Sequence, residues 1–151
     1  MRLATATLLG VFCALCHLEG TNAAETVPQG RPPPRQAQTG WASWYSVASA
    51  MREGTCTDPA TRTCLMANGR ALDDKAYTAA SWDHAFGTYL TVCQTDSGDR
   101  RTCVQTVVRD RGPARRLYRQ GRILDLSQAA FQVLAPLSQG LVQVEITEVK
   151  P

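Results

Sequence analysis

Residues 103–130 read CVQTVVRDRGPARRLYRQGRILDLSQAA, and this stretch decides the fold class. Thr102 to Val108 is rich in β-branched residues and reads as a strand. Asp110-Arg111-Gly112-Pro113 stops it, because proline donates no ladder hydrogen bond and glycine frees the backbone. An arginine-rich loop carrying Arg115, Arg116, Arg119 and Arg122 follows, and then Ile123-Leu124-Asp125-Leu126 is a short extended segment. Ser127 stands where an N-cap would begin a helix over Gln128 to Leu134, with Ala129, Ala130, Val133 and Leu134 on its buried face.

The same grammar continues on both sides. Upstream, Tyr89-Leu90-Thr91-Val92-Cys93 alternates as a strand, and Asp96-Ser97-Gly98-Asp99 turns the chain back, so that a hairpin joins it to Thr102–Val108. Further back lie a first strand at Trp41 to Tyr45 and a polar extended loop from Ser46 to Leu65. Met66-Ala67-Asn68-Gly69 is a tight turn, and Tyr77 to Ala80 a short apolar stretch. Downstream, Val142, Val144 and Ile146 alternate with Gln143, Glu145 and Thr147 in a terminal strand with one buried face. About six short strands and a short helix in such a length indicate a small β-barrel rather than a helical or doubly wound domain.

The ends and the cysteines locate the domain and its compartment. Of the 151 residues, 1–24 have the parts of an export signal. Arg2 is the positive start, Leu3 to Leu18 the apolar run, and Thr21-Asn22-Ala23-Ala24 the small residues for cleavage. The run is interrupted by Gly10 and His17 and is short for a membrane span. Cys13 follows Phe12 and Cys16 follows Leu15, which does not suit a lipid anchor. Residues 25–39 read as a Pro/Arg/Gln-rich linker, and 40–151 as one folded domain of roughly 110 residues.

Its four cysteines, Cys56, Cys64, Cys93 and Cys103, are even in number in a chain bound for an oxidising compartment. Of three possible connectivities, Cys56–Cys64 and Cys93–Cys103 each close a short loop or hairpin. A zinc site is the alternative, without the usual close C-x-x-C spacing. The net charge of +3 is mild and concentrates in the arginine loop, which suits an acidic wall polymer or carboxylates better than nucleic acid.

The order of short motifs carries a resemblance: GWASWY, MANG, TAAS followed by FGT, RDRGP, then R-ILDLS-QAA and a terminal G-LVQVEI strand. This order resembles the double-psi β-barrel of the rare lipoprotein A family over Gly40 to Val149. The resemblance implies an all-β fold: a six-stranded double-psi barrel with one or two short helices, here with two disulfides. It also implies a secreted or periplasmic protein directed at the glycan strands of peptidoglycan, with no metal or organic cofactor. Such a protein would be expected as a monomer that binds no nucleic acid and does not stay in the membrane.

By motif, Asp110 matches the Asp of DRGP, Asp125 the Asp of IDLS, and Asp73 an acidic position after the Asn-Gly turn. Two positions depart from the pattern: Arg70 stands where Glu is usual and Ser81 where His is usual. His84, three residues on, is the candidate replacement imidazole.

Cutting such a glycan needs a proton donor to the glycosidic oxygen and a base for the attacking sugar hydroxyl, and one carboxyl group can be both in turn. Asp110 and Asp125 are the expected acid/base pair, with Asp73 assisting; a turn-forming role for Asp110 and a helix N-terminal role for Asp125 are the structural alternatives. Trp41, Trp44, Tyr45 and Trp82 are candidates to stack on sugar rings, with His84 and Arg111 as further substrate contacts. Trp44 and Tyr45 are adjacent on a strand, so at most one is expected in the groove. A non-catalytic, expansin-like glycan binder and a disulfide-stapled secreted interaction protein are the rival functions.

Overall fold

Alternation along the last strand is the simplest expression of the fold: Val142, Val144 and Ile146 are buried while Gln143 and Thr147 face solvent. Five more strands share that inward face. In the computed structural model, which describes residues 37–149 apart from 59, 62 and 96–100, β1 (Gln38–Tyr45), β2 (Thr78–Ala80), β3 (Tyr89–Gln94), β4 (Cys103–Asp110), β5 (Arg122–Ser127) and β6 (Val142–Glu148) form a closed barrel. Their spatial order is β1-β5-β2-β4-β3-β6. The β1/β5 and β2/β4 pairs are parallel and the other four antiparallel. This is a six-stranded, mostly sheet fold of the double-psi type.

The chain divides into two units, Met1–Pro33 and Pro34–Pro151, and every described residue lies in the second. The export-signal reading of 1–24, most of the linker reading and the turn at Asp96-Ser97-Gly98-Asp99 fall outside the described residues. The linker reading runs two residues too far, because Gln38 and Thr39 already pair with Ile146 and Glu145 of β6. No helix among the described residues is long and apolar enough to cross a membrane.

Two short helices occupy segments read from sequence as loops: α1 (Val47–Arg52) and α2 (Arg115–Tyr118). The first has its own start signal. Ser46 accepts from Ser49 N at 3.1 Å while Ser49 Oγ accepts from Ser46 N at 2.8 Å, a reciprocal box in which serine replaces the usual third-position Glu. Asp74 Oδ1 takes a further first-turn donor, Val47 N, at 2.8 Å. Ser46, directly after GWASWY, thus starts a helix.

α3 (Gln128–Leu134) has the expected bounds, but its face is turned by one residue. Ala130, Phe131 and Leu134 are buried, whereas Val133 is exposed. Phe131 wins because the largest apolar side chain gains most by leaving water, and it is fully buried in the barrel core with Leu90, Leu124, Leu126 and Val144. Ser127 stands at the N-cap position without capping the helix. Its hydroxyl instead donates to Ala76 O at 2.5 Å and accepts from Thr78 N at 3.2 Å, tying β5 to the start of β2.

Both expected disulfides are formed, Cys56–Cys64 and Cys93–Cys103. The four thiols are thereby spent, which disposes of the zinc alternative. Cys93 and Cys103 are direct partners across β3 and β4.

Candidate active-site groove

Ala80 explains why the two aspartates meet. It is the last residue of β2, and its register partners are Asp110 on β4 and Asp125 on β5. The two carboxyl-bearing residues therefore flank one small alanine, two strand spacings or roughly 10 Å apart at the backbone. Each sits just past a register shift in a parallel ladder. Along β4, Arg109 is the extra residue between the partners of Ala79 and Ala80; along β5, Ile123 is the extra residue between the partners of Trp41 and Ala42. An extra residue re-aims the side chains that follow it. Arg122 and Asp125, three apart and so on opposite faces of a regular strand, come within 3.7 Å of each other (Nε to Oδ1).

The groove here has a volume of about 520 Å³ and is lined by Ser43, Tyr45, Glu53, Asp110, Arg111, Gly112, Arg122 and Asp125, among others. Asp125 is held there in a buried setting. Burial pushes its carboxyl above the ordinary range, and Glu53 and Asp110 push the same way by charge repulsion. The hydrogen bond that Ser43 Oγ donates to Asp125 Oδ1, and the nearby Arg122, oppose the shift without cancelling it. The Oδ2 side faces Gly112, where even a Cβ would stand 3.4 Å from that oxygen.

Asp110 is engaged differently. Its Oδ1 accepts from Ala67 N and from Arg111 N, both at 2.8 Å, so the carboxylate joins the Asn-Gly turn to the RDRGP loop. Tyr45 lies between these acids and the β2 strand. Its hydroxyl is 2.8 Å from Thr78 Oγ1, and burial first, then the charges of Asp110, Asp125 and Asp74, hold the phenol protonated well beyond its usual range.

The other expected site residues are elsewhere. Asp73 is exposed, holds a turn through Lys75 N at 2.9 Å and does not line the groove. Its neighbour Asp74 faces inward to α1. Trp82 is also outside the groove: its Nε1 donates to Pro113 O at 2.7 Å, and Arg115 stacks on its ring at 3.6 Å. With Tyr118 bonded to Asp83 at 2.6 Å, these contacts fasten α2 to the Ser81–His84 loop. Arg111 borders the groove, but its Nη1 donates to Ser81 O and His84 O, both at 2.8 Å, and its guanidinium covers Phe86.

His84 packs against Ser81 and does not line the groove. Its Nδ1 is 2.9 Å from Ser81 Oγ and its Nε2 is 3.8 Å from Glu148 Oε1. Hydroxyl, imidazole and carboxylate are in the order of a nucleophilic triad, but Ser81 is fully buried and no substrate atom can reach it. Trp44 and Tyr45 both border the groove, against the expectation of one. Trp44's indole is nevertheless held on the core side, its Nε1 donating to Leu137 O at 3.1 Å.

Sequence reasoning missed Ser43 and Glu53. Ser43 had a signal, since it is two residues from Tyr45 and shares its face of the strand. Glu53 had none, because the helix that ends at it was not foreseen.

A family described as lytic transglycolase matches residues 37–146. An endolytic peptidoglycan transglycosylase RlpA of Neisseria meningitidis serogroup A is 32% identical over 114 residues, which is 76% of this chain and 40% of the relative. A probable enzyme of the same name from Treponema pallidum is 35% identical over 85 residues, 56% of this chain and 24% of the relative. The chain thus spans two fifths or less of these relatives. Among solved structures, a Streptomyces papain inhibitor superposes with a TM-score of 0.52 at 25% identity, covering 78% of this chain and 98% of the inhibitor. A Clavibacter michiganensis expansin mutant in complex with cellohexaose gives a TM-score of 0.51 at 21% identity, covering 76% of this chain and 51% of the expansin.

Proposed function

Because the chain belongs to the lytic transglycolase family of double-psi β-barrels, we propose that its groove takes a glycan strand of peptidoglycan and cleaves it by carboxyl acid/base chemistry outside the cytoplasm. The single observation that carries this reading is Asp125: a carboxyl in an open groove, pushed by burial toward its protonated form. Protonated Asp125 donates to the glycosidic oxygen as the C–O bond breaks. The resulting carboxylate takes the proton of the sugar's own 6-hydroxyl, whose oxygen closes a 1,6-anhydro ring on the anomeric carbon. Asp125 ends as it began, and no water is consumed.

Asp110 supplies negative charge that favours both the protonated acid and the positive centre of the transition state. Tyr45, kept as a neutral phenol, is a hydrogen-bond partner for sugar or carboxyl oxygens. Two disulfides and the composition of residues 1–24 support a secreted or periplasmic setting.

A second reading, a glycan-binding module that does not cut, is favoured by Asp110, whose Oδ1 is spent on two backbone donors, and by Arg70 and Ser81 in place of the family's Glu and His. The near-complete overlap with the papain inhibitor supports a third, a secreted barrel that binds a protein.

Incubating the purified protein with peptidoglycan sacculi and with stem-peptide-free glycan separates them. The enzyme releases anhydro-muramyl ends. A protein that pellets with sacculi without cutting, and is released by Asp125→Ala, is the binding module. One that neither cuts nor pellets, yet inhibits a papain-type protease, is the third.

A further inference from the structure

Beside the groove lies a second depression of about 310 Å³, lined by Trp41, Leu117, Gln120, Arg122 and Leu141. Leu117 and Arg122 line both, so the two are one continuous surface. The second is mostly apolar, and one of its walls is Trp41, 43% exposed. Its indole stands with Leu117 and Leu141 around the depression, with part of its surface open to solvent. Two polar side chains, Gln120 and Arg122, stand at its rim. An apolar ring face with a polar edge is the complement of a pyranose.

The ladder between β1 and β5 sets the distance. Trp41 pairs with Arg122 and Ser43 with Asp125, and Trp41 is two residues before Ser43, roughly 7 Å along the strand. Arg122, bonded to neither site alone, faces Asp125 on one side and the depression on the other. The backbone under Trp41 is held: its N–H donates to Gly121 O at 2.9 Å, and any Cβ on Gly40 would come within 2.9 Å of the same oxygen. A platform already fixed loses little entropy when a ring lands on it.

The geometry points to Trp41 as a sugar-stacking platform for the glycan ring beyond the two joined at the bond Asp125 cleaves, so that the depression is an outer subsite extending the groove. This rests on the glycan reading of the groove. It makes the protein sensitive to chain length, since a fragment too short to reach Trp41 forgoes the stacking.

Muramyl-glycan fragments of two, four and six sugars, titrated into the purified protein and followed by calorimetry, test it. The native protein is expected to bind the longer fragments better than the disaccharide. Trp41→Ala should lose about tenfold in affinity for the longer ones alone, and Trp41→Phe should keep most of it. Thermal melting of the exposed-site variants should stay near the native value. If Trp41→Ala binds every length as the native protein does, the platform is wrong and the glycan reading survives. If the native protein binds no fragment, both fall together.

Discussion

The barrel has two unlike sides. Where β3 pairs with β4 and β6 both ladders are antiparallel, residues face each other in unbroken register, and Cys93–Cys103 crosses two of the strands. Around β1, β5, β2 and β4 lie both parallel ladders, and each carries a register shift. Asp110 follows one of those shifts directly and Asp125 follows the other by two residues. The regular side is the scaffold, where alternation alone satisfies the core. The irregular side gives up ladder continuity and gains side chains aimed where alternation forbids. The candidate site gathers where the strand period is broken.

The largest test of this contrast compares carboxyls on the two sides. Asp125→Asn should lower anhydro-muramyl release about 10²–10⁴-fold while sacculus binding persists. Glu145→Gln on β6, which removes the surface pairing with Arg101, should leave release unchanged. Equal losses in both would mean that the groove is not the reactive side.

Next in size is the staple. Replacing Cys93 and Cys103 by serine opens a loop with a sequence separation of 10, which should cost about 2–3 kcal/mol in denaturant unfolding. Glycan affinity should hold under native conditions, since the bridge lies outside the groove lining. A loss of affinity greater than the loss of folded protein would show the two sides to be coupled.

The smallest effect is on pH. Asp125 has a folded-state pKa above its unfolded value. The associated stability is therefore complete below the unfolded pKa and is lost as pH rises through the folded one. Asparagine imitates the protonated form, so Asp125→Asn should flatten that part of the stability curve and melt slightly above the native protein at neutral pH. A parallel pair of curves would mean that Asp125 is ordinary.

Several misplacements have one cause. Asp73 and Asp74 are equivalent in composition, and only the approach of α1 selects Asp74 to face inward. Trp82 and Arg111 carry the chemistry of ligand contacts, yet the loops after β4 and β2 take them: Trp82 by Pro113 O, Arg111 by Ser81 O, His84 O and the ring of Phe86. Buried loop carbonyls must find donors, and a sequence does not say which nearby side chains will supply them. Arg122, read only as part of a basic cluster, becomes Asp125's neighbour through the extra residue in β5.

What the sequence determined by itself was everything of short range or fixed period: the alternating strands, the Asn-Gly turn, the stop at Gly112-Pro113, the bounds of α3, both disulfides and, through the order of its motifs, the barrel. Those follow from propensities and from loops that close over a few residues. Tertiary structure alone decided how the two acids come to share a groove and that Asp73 stays out of it. Asp110 and Asp125 meet only because β2 inserts between their strands and Ala80 pairs with both. The burial that perturbs Asp125 comes from segments distant in the chain, and no local pattern encodes it.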